Sequence, residues 1–379
     1  MRVVMWGTYD IGKPRSRILL RGLRDAGVDL HEIHSEVWAG IDDKGHISGF
    51  GCKLRLLLNW CASYPHLIWR YLRAPAHDVV IIGYLGHLDV LVIWPFAKAR
   101  GVPVVWDAFI SLYNTVIEDR RMLTPVNPLA WLLYAWEWLA CRAARMVILD
   151  TKAHAAYFAK TYRLKPERMA SIMVGAETAT ITPIERSSPA GVPLRVLFYG
   201  QFIPLHGIET IVAAAQAAAQ TTARTEDDEP IRWILIGRGQ EQDRIRALID
   251  AVPAAIEWIE WVDFAVLREH IAGADICLGI FGDTDKAARV IPNKVFQILA
   301  AGAPLITRDS PAIRELLSPD MPGVTLIPPA DPNALLEAVR GFAAEPAPRR
   351  PLHRDIARKI TPEALGKELS AVLREVVGR

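Results

Sequence analysis

The sequence predicts an α/β protein with two Rossmann-like domains, each a doubly wound parallel sheet covered by helices on both faces. Three observations support this prediction. The chain has 379 residues, more than one hydrophobic core usually supports. Short apolar runs alternate with segments of helical periodicity. The alternation stops once and restarts, which indicates a second domain.

The first series of elements begins at residue 2. The run RVVMWG predicts a buried strand that leads into a glycine turn, and residues 15–27 have helical spacing and end on a glycine. Further strands are predicted at VVII, VPVVW and MVIL, with helices between them. The helical run KAHAAYFAKTY follows the last of these strands.

The segment TPIERSSPAGVP at 182–193 has neither helical nor strand periodicity and is typical of an inter-domain linker. We therefore place the N-terminal domain at residues 1–185 and the C-terminal domain at 186–360. In the second series the strands LRVLFYG, IRWILIG, IEWIEW, DICLGIF, PLIT and GVTLIPP alternate with helices, one of them predicted at 312–317. An amphipathic helix at 361–379 ends the chain, and we expect it to pack on the N-terminal domain.

Composition narrows the class of protein. The four cysteines form no C-x-x-C pair and the start has no signal-peptide pattern, so we expect a cytoplasmic protein. The apolar stretches 79–97 and 128–141 are interrupted by charged residues and fall short of the roughly 20 apolar residues of a spanning helix. A net charge of +2 without a basic and aromatic stripe argues against a nucleic-acid partner.

Loops at the carboxyl ends of parallel strands are where such sheets bind ligands. In the second domain, the loop GQFIPLHG at 200–207 carries glycines that let a phosphate approach the backbone near a helix start. The loop GRG at 237–239 offers backbone groups to a nucleobase. The third loop leads into a helix that starts near Pro292, which places Asn293 and Lys294 beside the positive end of that helix. These loops predict a site for a phosphorylated nucleotide.

These segments together resemble a known family. FYGQFIPLHGIET, LIGRG, ADICLGIF and IPNKVFQILAAGAPLIT match, in order and spacing, the donor-binding domain of retaining glycosyltransferases of the GT-B fold, family 4 type. The match covers most of residues 194–320. The resemblance implies two domains facing a cleft, a UDP- or GDP-sugar as donor, and a leaving diphosphate stabilised by cations and helix dipoles. It implies neither a cofactor nor a metal.

The sequence departs from the family where donor chemistry is usually carried. The two glutamates that the family commonly has are replaced by Arg289 and Gln297, and the basic pair of the first loop by Gln201 and His206. We therefore predict a divergent subfamily in which Lys294 supplies the missing charge. The predicted donor-binding residues are Gly200, Gln201, His206, Gly207, Gly237, Arg238, Arg289, Asn293, Lys294 and Gln297.

In the first domain, polar residues follow three predicted strands. We expect the loop after the first strand to bind an acceptor or a phosphate through Gly7, Thr8, Lys13 and Arg15; a solvated helix start is the alternative. Asp107 is the first candidate for a general base or orienting group at the acceptor hydroxyl, and His87 is the second. A structural histidine is the alternative for His87.

The segment 52–73 mixes leucine, aromatic and basic residues and has no acidic residue. This composition predicts peripheral contact with an anionic membrane, and two core helices with basic ends would explain it equally well. Membrane contact would suit a lipid-linked acceptor in envelope polysaccharide or glycoconjugate synthesis. The alternatives to a transferase are a nucleotide-sugar epimerase of the same architecture and a non-catalytic partner protein.

Overall fold

A computed structural model describes residues 1–38, 50–120, 122–177, 193–222, 231–251, 254–344 and 351–378. The chain divides into two compact units, one formed by Met1–Gly175 with Thr361–Arg379 and the other by Ala176–Ile360. The predicted linker up to residue 192, and the boundary between 185 and 186, lie outside the described residues.

The first unit contains a six-stranded parallel sheet in the order β2-β1-β3-β4-β5-β6. Its strands are β1 Arg2–Gly7, β2 Asp29–His34, β3 Val79–Ile82, β4 Val104–Asp107, β5 Met146–Leu149 and β6 Met169–Ser171. Its helices are α1 Pro14–Asp25, α2 Phe50–Leu72, α3 His87–Ala99, α4 Pro128–Ala143, α5 Lys152–Tyr162 and, from the end of the chain, α13 Pro362–Gly378.

Helices cover both faces of this sheet. Successive side chains of a strand point to opposite faces, so Val3 and Met5 pack with α1 and α13, whereas Val4 and Trp6 pack with α2 to α5. The crossing of α1 and α13 is close because both helices have a glycine at the contact. A Cβ on Gly366 would lie 1.9 Å from the Gly22 carbonyl oxygen.

The second unit contains another six-stranded parallel sheet, in the order β12-β11-β10-β7-β8-β9. Its strands are β7 Leu194–Tyr199, β8 Ile231–Ile236, β9 Ile256–Ile259, β10 Ile276–Leu278, β11 Leu305–Arg308 and β12 Val324–Ile327. Its helices are α6 Ile208–Thr222, α7 Gln242–Ala251, α8 Phe264–Gly273, α9 Asp285–Arg289, α10 Asn293–Ala301, α11 Pro332–Ala344 and α12 Arg354–Lys359. The predicted fold class, two doubly wound parallel sheets, is confirmed.

Two local predictions differ from the structure. Residues 312–317 form only the short 3₁₀ turn Ile313–Glu315, because so few residues between Pro311 and Pro319 cannot offset the cost of helix nucleation. The segment 52–73 is not two helices: its residues 52–72 belong to the single helix α2, which continues through Pro65, and Arg73 follows the helix end. None of the described helices combines the length and the apolar character that a bilayer-spanning helix needs.

Candidate functional site

The candidate site lies at the centre of the second sheet. The chain leaves β7 toward β8 on one side and later reaches β10 on the other, so the carboxyl ends of β7 and β10 form a topological switch point. The loops that follow these strands meet there. The Phe281 amide donates a hydrogen bond of 3.0 Å to the His206 carbonyl. A Cβ on Gly207, which has φ +62°, would lie 2.4 Å from the Gly282 nitrogen. The two loops therefore form one continuous surface.

The loop after β8 adjoins this surface. The Phe202 amide donates to the Arg238 carbonyl at 3.0 Å, and the Trp258 indole donates to the Gly237 carbonyl at 2.8 Å. Gly237 has φ +147°, and a Cβ there would lie 1.9 Å from the Gly200 carbonyl oxygen. Only glycine fits this contact, and the Arg238 side chain that follows it is exposed.

Lys294 is the most unusual side chain of this region. It is the second residue of α10, a helix whose N-cap is Pro292 and whose first turn has neither a side-chain cap nor an acidic residue. Lys294 is only 5% exposed, and its Nζ lies 3.6 Å from the centre of the Phe198 ring. A Cβ on Gly200 would lie 2.9 Å from that nitrogen, so the glycine makes room for it.

The Lys294 amino group has no hydrogen-bond acceptor among the described residues. Burial therefore lowers the pKa of Lys294 well below its usual value. An amine held beside an uncapped helix start, with no carboxylate to neutralise it, is an arrangement that stabilises a bound anion.

His206 lies beside Lys294 and is also buried. Burial, and secondarily the charge of Lys294, lower the pKa of His206 well below its usual value, so its ring is neutral near pH 7. Its Nδ1–H is held by the Gln201 carbonyl, while the Gln201 side chain is exposed. Lys294 is the basic group that reaches this loop, because its amine lies next to Gly200.

The structure brings Gly200, His206, Gly207 and Lys294 together, with Gly237 and Arg238 in the adjoining loop. Arg289 is the last residue of α9, and Gln297 follows Lys294 by three residues along the same face of α10; both are partly buried. Asn293 is partly buried at the first position of α10.

Three residues of this region escaped the sequence analysis. The ring of Phe198 supports Lys294, the Tyr199 hydroxyl donates to the Lys294 carbonyl at 3.3 Å, and the buried Arg308 guanidinium donates to the Gly282 carbonyl. In the structure each is one of the last two residues of β7 or β11, so nearness to the end of a predicted strand was the available signal.

In the first unit, Arg15 and Asp107 have a different role from the one predicted. Arg15 Nε lies 3.0 and 2.9 Å from the two carboxylate oxygens of Asp107, and the guanidinium also donates to the Ile172 carbonyl at 2.8 Å. Both side chains are buried. Because each satisfies the other, Arg15 does not present its charge to a phosphate and Asp107 is not a free base; the pair joins α1 to β4.

His87 also belongs to a buried network. Its Nε2 lies 3.0 Å from Glu137, which accepts further hydrogen bonds from the Ser111 hydroxyl at 2.8 Å and the Tyr162 hydroxyl at 2.6 Å. Burial opposes ionisation of Glu137, but these hydrogen bonds outweigh it and lower the pKa of Glu137. The Nδ1 of His87 has no partner among the described residues.

The loop after β1 is held by a third network. Asp89 accepts a hydrogen bond of 2.7 Å from the Thr8 amide and one of 2.6 Å from the Tyr64 hydroxyl, and the Trp60 indole donates to the Thr8 hydroxyl at 2.8 Å. Burial raises the pKa of Asp89 to about 6. A Cβ on Gly7 would clash with this carboxylate. Gly7 and Thr8 therefore shape the loop, and Lys13, which caps α1, is only partly buried.

Asp89 and Glu137 are charged residues that interrupt the apolar stretches 79–97 and 128–141. A single carboxylate within an otherwise apolar helix is the signal that would have marked each as a buried hydrogen-bond acceptor. Among the described residues, no group of three or more His, Cys, Asp or Glu side chains is arranged to hold a metal ion.

Comparison with known proteins gives a family match for part of the chain and a fold match for all of it. Residues 193–345 match the family model of glycosyl transferases group 1. Sucrose-phosphate synthase from Thermosynechococcus elongatus superposes with a TM-score of 0.70 at 17% identity, covering 100% of this chain and 99% of that one. Among curated protein sequences, none is similar enough to this chain to count as a relative.

Two further structures have the same two-domain fold. Anabaena HepE in complex with UDP and glucose has a TM-score of 0.65 at 12% identity, covering 99% of this chain and 100% of its own. The lipopolysaccharide outer core galactosyltransferase WaaB in its apo form has a TM-score of 0.64 at 12% identity, covering 99% of each chain. Residues 193–345 therefore match glycosyl transferases group 1, and the chain as a whole has the two-domain GT-B fold of these structures.

Proposed function

We propose that this protein transfers a sugar from a UDP- or GDP-sugar to a glycan or lipid-linked acceptor, with retention at the anomeric carbon. The reaction serves envelope polysaccharide or glycoconjugate synthesis on the cytoplasmic side of the membrane. It needs no cofactor and no metal, because cationic and backbone groups of the chain neutralise the leaving group.

The buried, unpartnered amine of Lys294 is the observation that carries this proposal. Burying such a group without a partner costs free energy, so its place beside Gly200 and the start of α10 is explained by a ligand that neutralises it. A nucleoside diphosphate is an anion of the right kind. Its phosphates meet the amine, the helix start and the glycine loop, while the backbone groups at 237–239 meet the base.

Departure of the diphosphate is the step that these groups assist. The bond between the anomeric carbon and the phosphate oxygen breaks, the electron pair leaves with the diphosphate, and the acceptor oxygen bonds to the same face of the sugar. The acceptor's proton goes to the departing phosphate oxygen or to a base. Lys294 and the helix dipole act on charge that grows as this bond breaks, which lowers the barrier.

For the acceptor side we favour His87 over Asp107. The Glu137 carboxylate accepts the proton of His87 Nε2, which leaves the Nδ1 lone pair able to accept a hydrogen bond from a hydroxyl group. Asp107, whose oxygens already hold Arg15, is the second candidate and would act there as an orienting group. Lys13, Gly7 and Thr8 remain candidates for holding an acceptor or its phosphate.

The neighbouring structures support the classes of donor and acceptor. The HepE structures hold UDP, and in one case UDP and glucose. WaaB is named for galactosyl transfer to the lipopolysaccharide outer core. A nucleotide-sugar donor and an envelope glycan acceptor are the corresponding classes that we propose here, with peripheral contact between the segment 52–73 and an anionic membrane.

Calorimetry with a panel of UDP- and GDP-sugars tests the donor site. Lys294→Met keeps the aliphatic chain over Phe198 and removes the amine, so we expect donor affinity to fall by about 2 kcal/mol, roughly thirtyfold, the scale of a lost charged hydrogen bond. Lys359→Met, an exposed cation on α12, is the matched control and should bind normally. Equal affinity of wild type and Lys294→Met would contradict the assignment.

A non-catalytic partner protein is the alternative, favoured by Arg289 and Gln297 in place of the usual glutamates. Slow release of free sugar from the bound nucleotide sugar distinguishes the two, since a transferase leaks its sugar to water whereas a partner protein binds without turnover. Conversion of the donor into its sugar epimer would instead indicate an epimerase.

A further inference from the structure

Three neighbouring helices of the first unit end in the same way. Each has a tryptophan followed four residues later by a cation whose charged group lies over the indole ring. The pairs are Trp69 with Arg73 at 4.0 Å, Trp94 with Lys98 at 4.9 Å, and Trp138 with Arg142 at 3.7 Å. Tryptophan and a basic side chain at a helix end are the combination that anchors proteins at the headgroup level of a bilayer.

The three pairs lie along one edge of the unit. Helices α2, α3 and α4 lead into β3, β4 and β5, which are adjacent parallel strands, so the three helix ends meet where these strands begin. Arg100 links the first two ends by donating to the Tyr71 carbonyl at 2.7 Å. A cavity of about 750 Å³ links the second and third ends, lined by Trp94, Lys98, Arg142 and Arg145 among others.

The outward side of the same helices is apolar. Trp131 is 71% exposed, Leu132 is 64% exposed and Leu58 is 59% exposed. Leu54, Leu57, Leu72, Leu129 and Leu139 are further exposed apolar residues of α2 and α4. Five residues around the start of α4 enclose a small cavity with almost no polar lining: Leu123, Leu129, Leu132, Leu133 and Trp136. So many exposed leucine and tryptophan side chains on neighbouring helices indicate a surface that binds a protein or a membrane.

This layer presents no carboxylate to solvent. The sequence of α2 contains no acidic residue, and the two carboxylates of α3 and α4, Asp89 and Glu137, are buried in the networks described above. The outer surface of the three helices is therefore apolar and cationic together.

We propose that the outer face of α2, α3 and α4 docks on an anionic lipid bilayer, with its leucines at the acyl boundary and its tryptophan and cation pairs among the headgroups. This deepens the membrane contact of the proposed function and rests on it, in that a lipid-linked acceptor requires the enzyme at a bilayer. The contact surface is three helices wide and is not confined to the segment 52–73.

Two other occupants fit the surface less well. A second copy of the chain related by a two-fold axis would leave the cations without carboxylate partners, because such an interface pairs this surface with itself and the surface exposes no carboxylate. A nucleic acid would satisfy the cations but leave the exposed leucines in water. A bilayer containing anionic lipid satisfies both kinds of side chain at once.

Flotation of the full chain with vesicles tests the proposal. We expect binding to phosphatidylcholine vesicles that contain phosphatidylglycerol, weaker binding at high salt, and little binding to phosphatidylcholine alone. The variant Arg73→Glu, Lys98→Glu, Arg145→Glu reverses exposed cations along the edge and should lower the partition coefficient about a hundredfold or more. The matched control reverses three exposed cations elsewhere, Arg21→Glu, Arg354→Glu and Lys359→Glu, and should float like wild type.

A second variant, Leu58→Gln, Trp131→Gln, Leu132→Gln, keeps every charge and should also float poorly, because it removes apolar insertion. Thermal unfolding checks that both variants fold. Flotation that both variants retain would overturn the proposal, as would a dimer of the wild type that the leucine variant dissociates and that does not float. Donor calorimetry without vesicles should be normal in both variants, so failure of the membrane surface is distinguishable from failure of the donor site.

Discussion

The carboxyl edges of the two sheets differ in how their buried charges are neutralised. In the first unit three buried ionisable pairs at this edge are matched within the unit: Arg15 with Asp107, His87 with Glu137, and Asp150 with His154, whose oxygen and Nδ1 lie 2.6 Å apart. In the second unit Lys294 is buried to the same degree and has no acceptor among the described residues.

This difference distinguishes charges that hold a fold together from charges kept for a ligand. A buried pair with good geometry is complete, and a ligand would have to break it. A buried amine without a partner makes the free protein less stable, and a bound anion removes that cost. Burial alone therefore does not identify a site, and the missing partner is what indicates a ligand at Lys294.

The largest expected effect concerns the buried pair of Arg15 and Asp107 in the first unit. Arg15→Met leaves Asp107 buried without its partner, so we expect the free energy of unfolding to fall by about 3–5 kcal/mol in urea denaturation. Combining it with Asp107→Leu removes both charges and should recover much of the loss. A loss below about 1 kcal/mol for Arg15→Met, the range of solvated surface pairs, would show that the pair is not the structural element described here.

The architecture was predictable because it depends on periodicity. The strands ending in Gly7, Gly200 and Gly237 are short apolar runs that stop at a glycine, and the glycines fall where the structure needs positive φ. Weakly patterned elements were missed. The edge strand β2, with the sequence DLHEIH, alternates with charged residues and has few apolar side chains, so its strand character depends on pairing with β1.

The candidate site was predicted in part. The position of Lys294 in the sequence, just after Pro292, indicated a cation at a helix start. Its lack of a partner was not predictable, because it depends on which side chains from β7 and β10 reach the same point. For the same reason Arg15 and Asp107, 92 residues apart, were assigned to ligands when they bind each other. A sequence shows which groups are charged, and only the fold shows which of them are paired.

The unpartnered Lys294 of the second sheet predicts that one substitution raises the stability of the ligand-free protein and lowers its affinity for the donor. Lys294→Met removes a buried polar group that has no partner, so we expect the ligand-free protein to become more stable by about 1–2 kcal/mol while donor affinity falls. Below its ordinary pKa and above its depressed one, Lys294 is protonated in the unfolded chain and deprotonated in the folded one. The stability of the wild type should therefore rise with pH across this window, and the variant should lack that slope.

Chemical denaturation at several pH values measures both quantities. The control is Lys359→Met, where an exposed amine is removed and neither the stability nor its pH dependence should change by more than about 0.5 kcal/mol. If Lys294→Met destabilises the ligand-free protein, Lys294 is part of the fold and the contrast between the two sheets fails.

The smallest expected effect is the uptake of a proton when the ligand binds. It connects the depressed pKa of Lys294 in the free protein with the affinity for a diphosphate. A diphosphate beside Lys294 favours the charged amine and raises its depressed pKa, so binding in the window between the two pKa values takes up about one proton. Affinity should weaken with rising pH in that window by at most about 1.4 kcal/mol per pH unit. Titration calorimetry of UDP in buffers of different ionisation enthalpy measures the uptake directly.

His206 is a second titratable side chain beside this amine, so uptake that persists in Lys294→Met would assign the proton to His206 or to the phosphate. Uptake that disappears in that variant assigns it to Lys294, because the amine is then the group whose charge the ligand restores.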